Sequence, residues 1–387
     1  MKRVIGVVST LALVMFLVGG RSPVEAAASP VAAAHVCGPA AAGFARCHAL
    51  VRTDVTPSAT TPSGYVPADL QAAYTLPSAT AGSGQTVAIV DAYDDPNAES
   101  DLGVYRSQFG LPACTTANGC FRKVNQSGGT TYPRANGGWA QEISLDLDMV
   151  SAICPNCHIL LVEASSSSLT NLGTAVNTAA RLGATAISNS YGGSESSSDP
   201  SYDTSYYNHP GIAITVSSGD SGYGVQYPAA SQYVTAVGGT SLTRASSARG
   251  WSETVWSGAG SGCSAYDAKP SWQTDTGCSK RTVADVAAVA DPNTGVAVYD
   301  SYSYQGQSGW LVFGGTSVSS PIIASVYALA GNAASVNYGS YPYSHTSSLW
   351  DVTSGSNGSC GGSYLCTGSA GFDGPTGNGT PNGTGGF

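Results

Sequence analysis

The stretch Gly314-Gly315-Thr316-Ser317-Val318-Ser319-Ser320-Pro321 lies between an apolar run at 310–313 and a longer apolar run at 322–330. Its two glycines permit a tight backbone and the close approach of a ligand. Pro321 suits the first turn of a helix, where its missing N–H has no cost. The pattern predicts a strand, a sharp turn and a helix, with Ser317 near the helix N-terminus. A serine there is a nucleophile if a base can reach it, although glycine–serine turns also open helices for purely structural reasons.

Upstream of this stretch, short apolar segments alternate with segments of helical periodicity. Strands are predicted at 86–91, 159–162, 185–188, 212–216 and 233–237, and helices at 138–153 and 169–182. Continuous apolar strands between helices are typical of an α/β fold with a mostly parallel central sheet and helices on both faces. Ligands of such sheets bind at the carboxyl ends of the strands. We therefore expect Asp91, the loop 217–220 and Ser317 at one edge of the sheet.

The N-terminus has the pattern of a secretory signal. Residues 1–28 combine Lys2 and Arg3, an apolar run too short to span a membrane comfortably, and a small-residue cleavage region. Residues 29–63 form a short extension or pro-region that ends in a Ser/Thr/Pro linker, and residues 64–387 form the main domain. We expect an exported, extracellular protein that is soluble after signal removal.

Ten cysteines agree with export, because disulfides persist in oxidising compartments. They fall in pairs that are close in sequence, which favours five local disulfides: Cys37/Cys47, Cys114/Cys120, Cys154/Cys157, Cys263/Cys278 and Cys360/Cys366. An alternative for the Cys154–Cys157 stretch is a redox or haem-attachment site.

Charged residues are sparse, at 10% of the chain, and the net charge is −9. A negative surface argues against nucleic acid or an anionic membrane as partner. With 15 Lys and Arg and 5 His, the chain cannot become very positive in acid, which limits the self-repulsion that promotes acid unfolding. We therefore expect a protein that works in, or survives, an acidic medium.

The base for Ser317 is expected to be a carboxylate. None of the histidines has the glycine-flanked helix-start context of a catalytic histidine, and each is interpreted as structural or solvated: His35, His48, His158, His209 and His345. Glu142 and Asp146 are four residues apart on a predicted helix and so share one face. Glu142 can take the proton of a serine while Asp146 orients it. Two solvated acids on a helix surface are the alternative, and Asp148, which is off that face, is expected to be solvated.

Three motifs in this order resemble the sedolisin family of serine-carboxyl peptidases: Glu142-Ile-Ser-Leu-Asp146, Ser217-Ser-Gly-Asp220-Ser-Gly and Gly314-Gly-Thr-Ser317-Val-Ser-Ser-Pro321. The resemblance covers the chain from about Tyr65 onward and implies a subtilisin-like fold. It implies Ser317 as nucleophile, Glu142 as general base, Asp146 as its partner and Asp220 as a protonated oxyanion donor. A neutral carboxylic acid can donate to an oxyanion, which an ionised one would repel. Asp91 has no role in this scheme and is interpreted as structural or substrate-proximal.

The C-terminal segment resembles the calcium site of the same family. One structural Ca²⁺ ion would be held by Asp351, Val352, Ser369, Gly371 and Asp373, with carboxylates from the aspartates and backbone carbonyls from the others. An ordinary Gly-rich loop is the alternative.

The resemblance implies an acid endopeptidase, expected to act as a monomer on protein or peptide substrates. Family members carry a long folded pro-domain, whereas here only residues 29–63 separate the signal from the domain. We expect this extension to stay attached, clamped by Cys37 and Cys47. Two other functions stay open: a catalytically silent relative that binds ligands outside the cell, and a conventional Ser-His-Asp subtilisin-like peptidase.

Overall fold

The computed structural model describes residues 1, 2, 6 and 32–387. The predicted signal segment therefore lies almost wholly outside the described residues. The chain divides into two compact units, Met1–Pro30 and Val31–Phe387, and all that follows concerns the second. Within the described residues, no helix is both long and apolar enough to cross a membrane.

The described elements alternate as the sequence predicts. The α-helices are α1 Pro67–Ala73, α2 Ala98–Gln108, α3 Gly137–Ile153, α4 Leu169–Arg181, α5 Asp199–Tyr202, α6 Thr316–Ala330 and α7 Tyr341–Ser344. The strands are β1 Ala33–His35, β2 Arg46–Cys47, β3 Leu50–Arg52, β4 Thr86–Ala92, β5 Phe121–Asn125, β6 His158–Ala164, β7 Ala186–Asn189, β8 Tyr191–Gly192, β9 Ala213–Ser217, β10 Thr235–Arg244, β11 Trp251–Val255, β12 Gly262–Cys263, β13 Thr282–Val283, β14 Val286–Val289, β15 Val296–Tyr304, β16 Gln307–Gly314, β17 Leu349–Trp350 and β18 Thr380–Pro381.

The central sheet is mostly parallel. In the described part of the chain its strand order is β11-β10-β9-β7-β4-β6-β5, and β14 also pairs with β10. The β10–β11 pairing is antiparallel, and the other pairings of this sheet are parallel. Helices flank the sheet, with α3 and α6 packed on each other and α4 on β4 and β6. This confirms the predicted subtilisin-like α/β fold.

Helix α3 is buried on all sides, because α6, α2 and β15 cover it as well as the sheet. A helix in such a position is hydrophobic around most of its circumference. Asp148 belongs to this buried surface, and the prediction that it is solvated is wrong. Its Oδ2 accepts a hydrogen bond from the Tyr299 N–H at 2.9 Å. Asp148 is buried because β15 packs on α3, and the helical periodicity of the sequence alone did not indicate this contact.

The turn at Gly315 has the predicted form, but Pro321 is not in the first turn. Helix α6 begins at Thr316, after Gly315 with φ 95°, so Pro321 lies inside the helix. A proline there cannot donate to the carbonyl four residues earlier, which is that of Ser317. The Ser190 hydroxyl lies 3.4 Å from this carbonyl oxygen instead.

The N-terminal extension packs onto the main domain. Strands β1 and β3 form one sheet with β16 and β15, in the order β1-β3-β16-β15, and β2 pairs with β8. The five local disulfides predicted from the sequence are all formed. Cys37–Cys47 closes a loop inside the extension, and Cys154–Cys157 is a buried disulfide.

Candidate active site

Two carboxyl groups project from one face of α3 into the interior. Glu142 and Asp146 each have 0% of their surface exposed, so the solvated alternative is wrong. Asp146 Oδ1 accepts a hydrogen bond from the Ser190 hydroxyl at 2.8 Å. Glu142 Oε2 accepts one from the Ala49 N–H at 2.9 Å. Their four-residue spacing thus puts both acids beside the loop that follows β7.

A third carboxyl joins this pair. Asp91 is the second-last residue of β4, is completely buried and has no hydrogen-bond partner on either oxygen among the described residues. Burial raises the pKa of Asp91 to about 8. The pKa values of Glu142 and Asp146 are also raised, first by burial and then by the charge of Asp91. Like charges in a shared dry site cannot all ionise, so these acids hold protons between them near neutral pH.

Ser317 is the second residue of α6 and is also fully buried. Its hydroxyl lies 3.3 Å from the Ser190 carbonyl oxygen. Ser317 is close enough to Glu142 to oppose the rise in the pKa of that carboxyl. The structure therefore brings the predicted nucleophile and the predicted base close together.

Asp220 lies beside Thr316, the first residue of the same helix. Its Oδ1 accepts hydrogen bonds from the N–H and the hydroxyl of Thr316, both at 2.8 Å, and its Oδ2 is buried with no partner in the described part of the chain. Burial raises the pKa of Asp220 to about 7, although the two bonds from Thr316 act in the opposite direction. An acid with this pKa keeps its proton in an acidic medium and can donate from the free oxygen.

Sequence reasoning missed two parts of the site. Ser190 donates a hydrogen bond to Asp146, and the extension passes directly over Ser317. Asp91, expected at the same edge of the sheet as Ser317, lies with the carboxyl pair. The Ala49 N–H of the extension donates to Glu142, and His48 is buried at 1% exposure, which fits the structural alternative for this histidine and not the solvated one. The short apolar run after Cys47 was the available signal that this segment is a strand.

The two aspartates of the predicted calcium segment come together. Asp351 Oδ2 accepts from the Gly371 N–H at 2.9 Å, and Asp373 Oδ2 accepts from the Ser369 N–H at 3.0 Å. Burial, with a smaller contribution from Asp351, raises the pKa of Asp373 to about 7. Each ionised carboxylate has about four acceptor positions, so both keep free lone pairs for a cation. The residues present therefore fit a calcium ion.

Comparison with known proteins agrees with this geometry. Residues 127–344 match the Subtilase family. Kumamolisin of Bacillus sp. (strain MN-32) is 32% identical over 304 residues, which are 69% of this chain and 52% of kumamolisin. Xanthomonalisin of Xanthomonas sp. (strain T-22) is 28% identical over 398 residues, covering 84% of this chain and 46% of that protein. The chain thus spans about half the length of these relatives.

Among solved structures, Pseudomonas sedolisin, a serine-carboxyl proteinase in complex with two molecules of pseudo-iodotyrostatin, superposes with a TM-score of 0.67. The identity is 28%, and the match covers 83% of this chain and 96% of that one. The sedolisin of Pseudomonas sp. (strain 101) is 34% identical over 204 residues, which are 44% of this chain and 33% of that protein. With its subtilisin-like sheet, its Ser317 turn and these relatives, the chain belongs to the subtilase family and, within it, to the sedolisin group.

Proposed function

We propose that the chain is an exported serine-carboxyl peptidase that hydrolyses peptide bonds of proteins or peptides at acidic pH. The observation that carries this proposal is the proximity of buried Ser317 to buried Glu142, whose partner Asp146 lies on the same face of α3. Asp220 lies beside Thr316, the first residue of the helix that carries Ser317. The five disulfides support export, because they belong to an oxidising compartment.

In the proposed reaction, Glu142 takes the proton of Ser317 as the oxygen attacks the substrate carbonyl carbon. Asp146, itself held by Ser190, orients Glu142 and shares its proton. Asp220 donates its own proton in a hydrogen bond to the oxyanion of the tetrahedral intermediate. Glu142 then protonates the leaving nitrogen, and water hydrolyses the acyl-enzyme by the reverse sequence.

The protonation states set the working pH. Asp220 must be neutral to donate, and a pKa of about 7 keeps it neutral in acid. Glu142 must give up and accept a proton, which it does most efficiently near its own pKa. The requirement on Asp220 favours an acidic medium, and ionisation of Asp220 ends activity at higher pH.

A structural calcium ion is part of the same proposal. Asp351 and Asp373 would supply carboxylate oxygens, and Val352, Ser369 and Gly371 backbone carbonyls. The ion would tie the Gly-rich C-terminal segment to the body of the domain.

The test is digestion of casein across pH 2–8 by the wild type and by S317A. We expect acid proteolysis that a peptide aldehyde blocks, that pepstatin does not affect, and that S317A lacks. Absence of any Ser317-dependent proteolysis would support the catalytically silent alternative.

A further inference from the structure

Three carboxylates that the proposed mechanism does not use lie together in the fold. Carboxylate oxygens of Glu195, Asp199 and Asp267 are all within 4.8 Å of one another. Glu195 lies in the loop after β8, Asp199 is the first residue of α5, and Asp267 lies in the loop between β12 and β13. Two distant parts of the chain therefore meet through acids of the same charge.

Asp267 is the member of this cluster that lacks partners. It is 1% exposed, and neither of its carboxylate oxygens has a hydrogen-bond partner among the described residues. Its backbone is held on both sides, because its N–H donates to the Ser264 hydroxyl at 2.8 Å and its carbonyl accepts from the Arg281 N–H at 3.1 Å. A buried carboxylate without a partner is costly when it is ionised. The fold thus directs a bare carboxylate toward the other two acids.

The other two carboxylates are held in place by neutral donors. Asp199 accepts from the Ser196 N–H at 2.7 Å and from the Ser196 hydroxyl at 2.8 Å. Glu195 accepts from the Ser264 hydroxyl and from the Ala265 N–H. An ionised carboxylate has about four acceptor positions, so both groups keep lone pairs that can bind a cation.

The cations near the cluster do not neutralise it. In the described part of the chain, none of the three acids forms a salt bridge. Arg281 lowers the pKa of Asp267, but its guanidinium is paired with Asp285. Lys280 lowers the pKa of Glu195, but its Nζ donates to a backbone carbonyl at 3.0 Å. The negative charge of the cluster therefore has no dedicated partner.

Without a cation, the cluster must hold a proton. Burial raises the pKa of Asp267 to about 8, and the charges of Asp203, Asp199 and Glu195 act in the same direction. The Tyr227 hydroxyl, which donates to Asp203 at 3.1 Å, stays neutral because burial raises its pKa far above the usual value. A divalent cation would replace the proton on Asp267, so its affinity should increase with pH.

The separation and the chemistry of the three oxygens fit calcium. Calcium–oxygen bonds of about 2.3–2.6 Å place two ligand oxygens on opposite sides of the ion about 5 Å apart, and closer on the same side. The separation of no more than 4.8 Å meets this limit. Calcium prefers oxygen ligands and tolerates irregular geometry, whereas magnesium needs a smaller and nearly ideal octahedron.

We infer that Glu195, Asp199 and Asp267 bind a calcium ion at a site separate from the one proposed for the C-terminal segment. The ion joins the loop after β8 to the loop that the Cys263–Cys278 disulfide closes. Carbonyl groups or water molecules complete its coordination. By binding the folded chain and not the unfolded one, the ion stabilises the fold.

Calorimetric titration of the full-length S317A chain with CaCl₂ at pH 7 tests this site, and D267N should remove one bound ion. D373N should leave that ion in place, because it changes only the C-terminal segment. The matched control is D300N, since Asp300 is also a buried acid with an unpartnered oxygen but lies outside the cluster. D300N should bind calcium as its parent does.

E195Q keeps the test decisive if D267N fails to fold, because Glu195 is only partly buried. We expect E195Q to weaken the same ion at least tenfold. Unchanged stoichiometry and affinity in E195Q, or in a folded D267N, would overturn the inference and mean that the acids share protons instead. Binding is measured without turnover, so this result would leave the proposed function in place.

Two further titrations test the role of Asp267 and the choice of ion. In S317A/D373N, the calcium affinity should rise at least tenfold from pH 6 to pH 8 as Asp267 loses its proton. A constant affinity over this range would remove Asp267 from the site. MgCl₂ should bind at least tenfold more weakly than CaCl₂, and equal affinities would contradict a calcium site.

Discussion

At the residue scale, the site depends on two carboxyls with opposite tasks. Asp220 must hold a proton and donate it in a hydrogen bond, while Glu142 must exchange one. Burial raises both pKa values, but Glu142 also lies beside Asp91, whose charge adds to the effect. Glu142, Asp146 and Asp91 interact and share protons. The titration of Glu142 therefore reflects all three groups and cannot be assigned to one residue.

Replacing Asp220 tests the oxyanion role. D220A should lower kcat by about 10²–10³, the usual effect of losing one such donor. D220N keeps an N–H donor that does not titrate, so the loss of activity as pH rises through about 7 should disappear. The measurement is kcat against pH for the three proteins. A D220N profile with the same upper limb as the wild type would assign that limb to another group.

At the element scale, the extension behaves as part of the body. Its strands β1, β2 and β3 each find a partner, and the Cys37–Cys47 disulfide closes a loop with a sequence separation of 10 residues. A disulfide that closes a loop of this size lowers the conformational entropy of the unfolded chain, and so stabilises the fold by about 2–3 kcal/mol.

Removing this disulfide should destabilise the protein. In the S317A background, which lacks the proposed activity, C37S/C47S should lower the free energy of unfolding by that amount. Denaturant titration measures it. An unchanged free energy of unfolding would show that this disulfide does not stabilise the fold.

Removing calcium should release the C-terminal segment. Bound calcium stabilises the fold by about 2.7 kcal/mol when its concentration is a hundredfold above Kd. Thermal melts of S317A at pH 6, with calcium or a chelator, should therefore differ, and D373N should show a smaller difference. Equal shifts in D373N and in its parent would mean that this segment binds no ion.

The mostly parallel sheet, the Ser317 turn and the α3 carboxyl pair were predictable because each depends on local periodicity or on a short motif. The burial of Asp148 was not predictable, because β15, which covers it in the folded protein, lies about 150 residues further along the chain. The position of His48 beside Ser317 could not be predicted either. It depends on strand pairing with Tyr191 and Gly192, and pairing over such a separation leaves little trace in a two-residue strand.

At the scale of the whole molecule, buried acids with raised pKa values dominate. Burial raises the pKa of Asp91 and of Asp300 to about 8, and that of Asp220 to about 7. The native state therefore binds these protons where the unfolded chain, with ordinary aspartate pKa values, has released them. Stability from these groups is complete below pH about 4 and is lost as pH rises through 7 to 8.

Melting temperatures of S317A between pH 3 and 8 test this dependence. We expect the highest values on the acidic side and a steady decline above pH 5, which is the reverse of ordinary acid denaturation. The sparse positive charge of the chain limits repulsion at the acidic end. A melting temperature that rises from pH 4 to pH 8 would show that the buried acids are ionised in the native state.

The central claim is that Glu142, and no histidine, is the base for Ser317. The most direct measurement is the rate of casein digestion against pH for the wild type and for E142Q. The account predicts a wild-type maximum in acid, little activity at pH 8, and loss of nearly all activity in E142Q because an amide cannot accept the proton. A rate that rises from pH 5 to a plateau at 8, or an E142Q variant as active as the wild type, would contradict it.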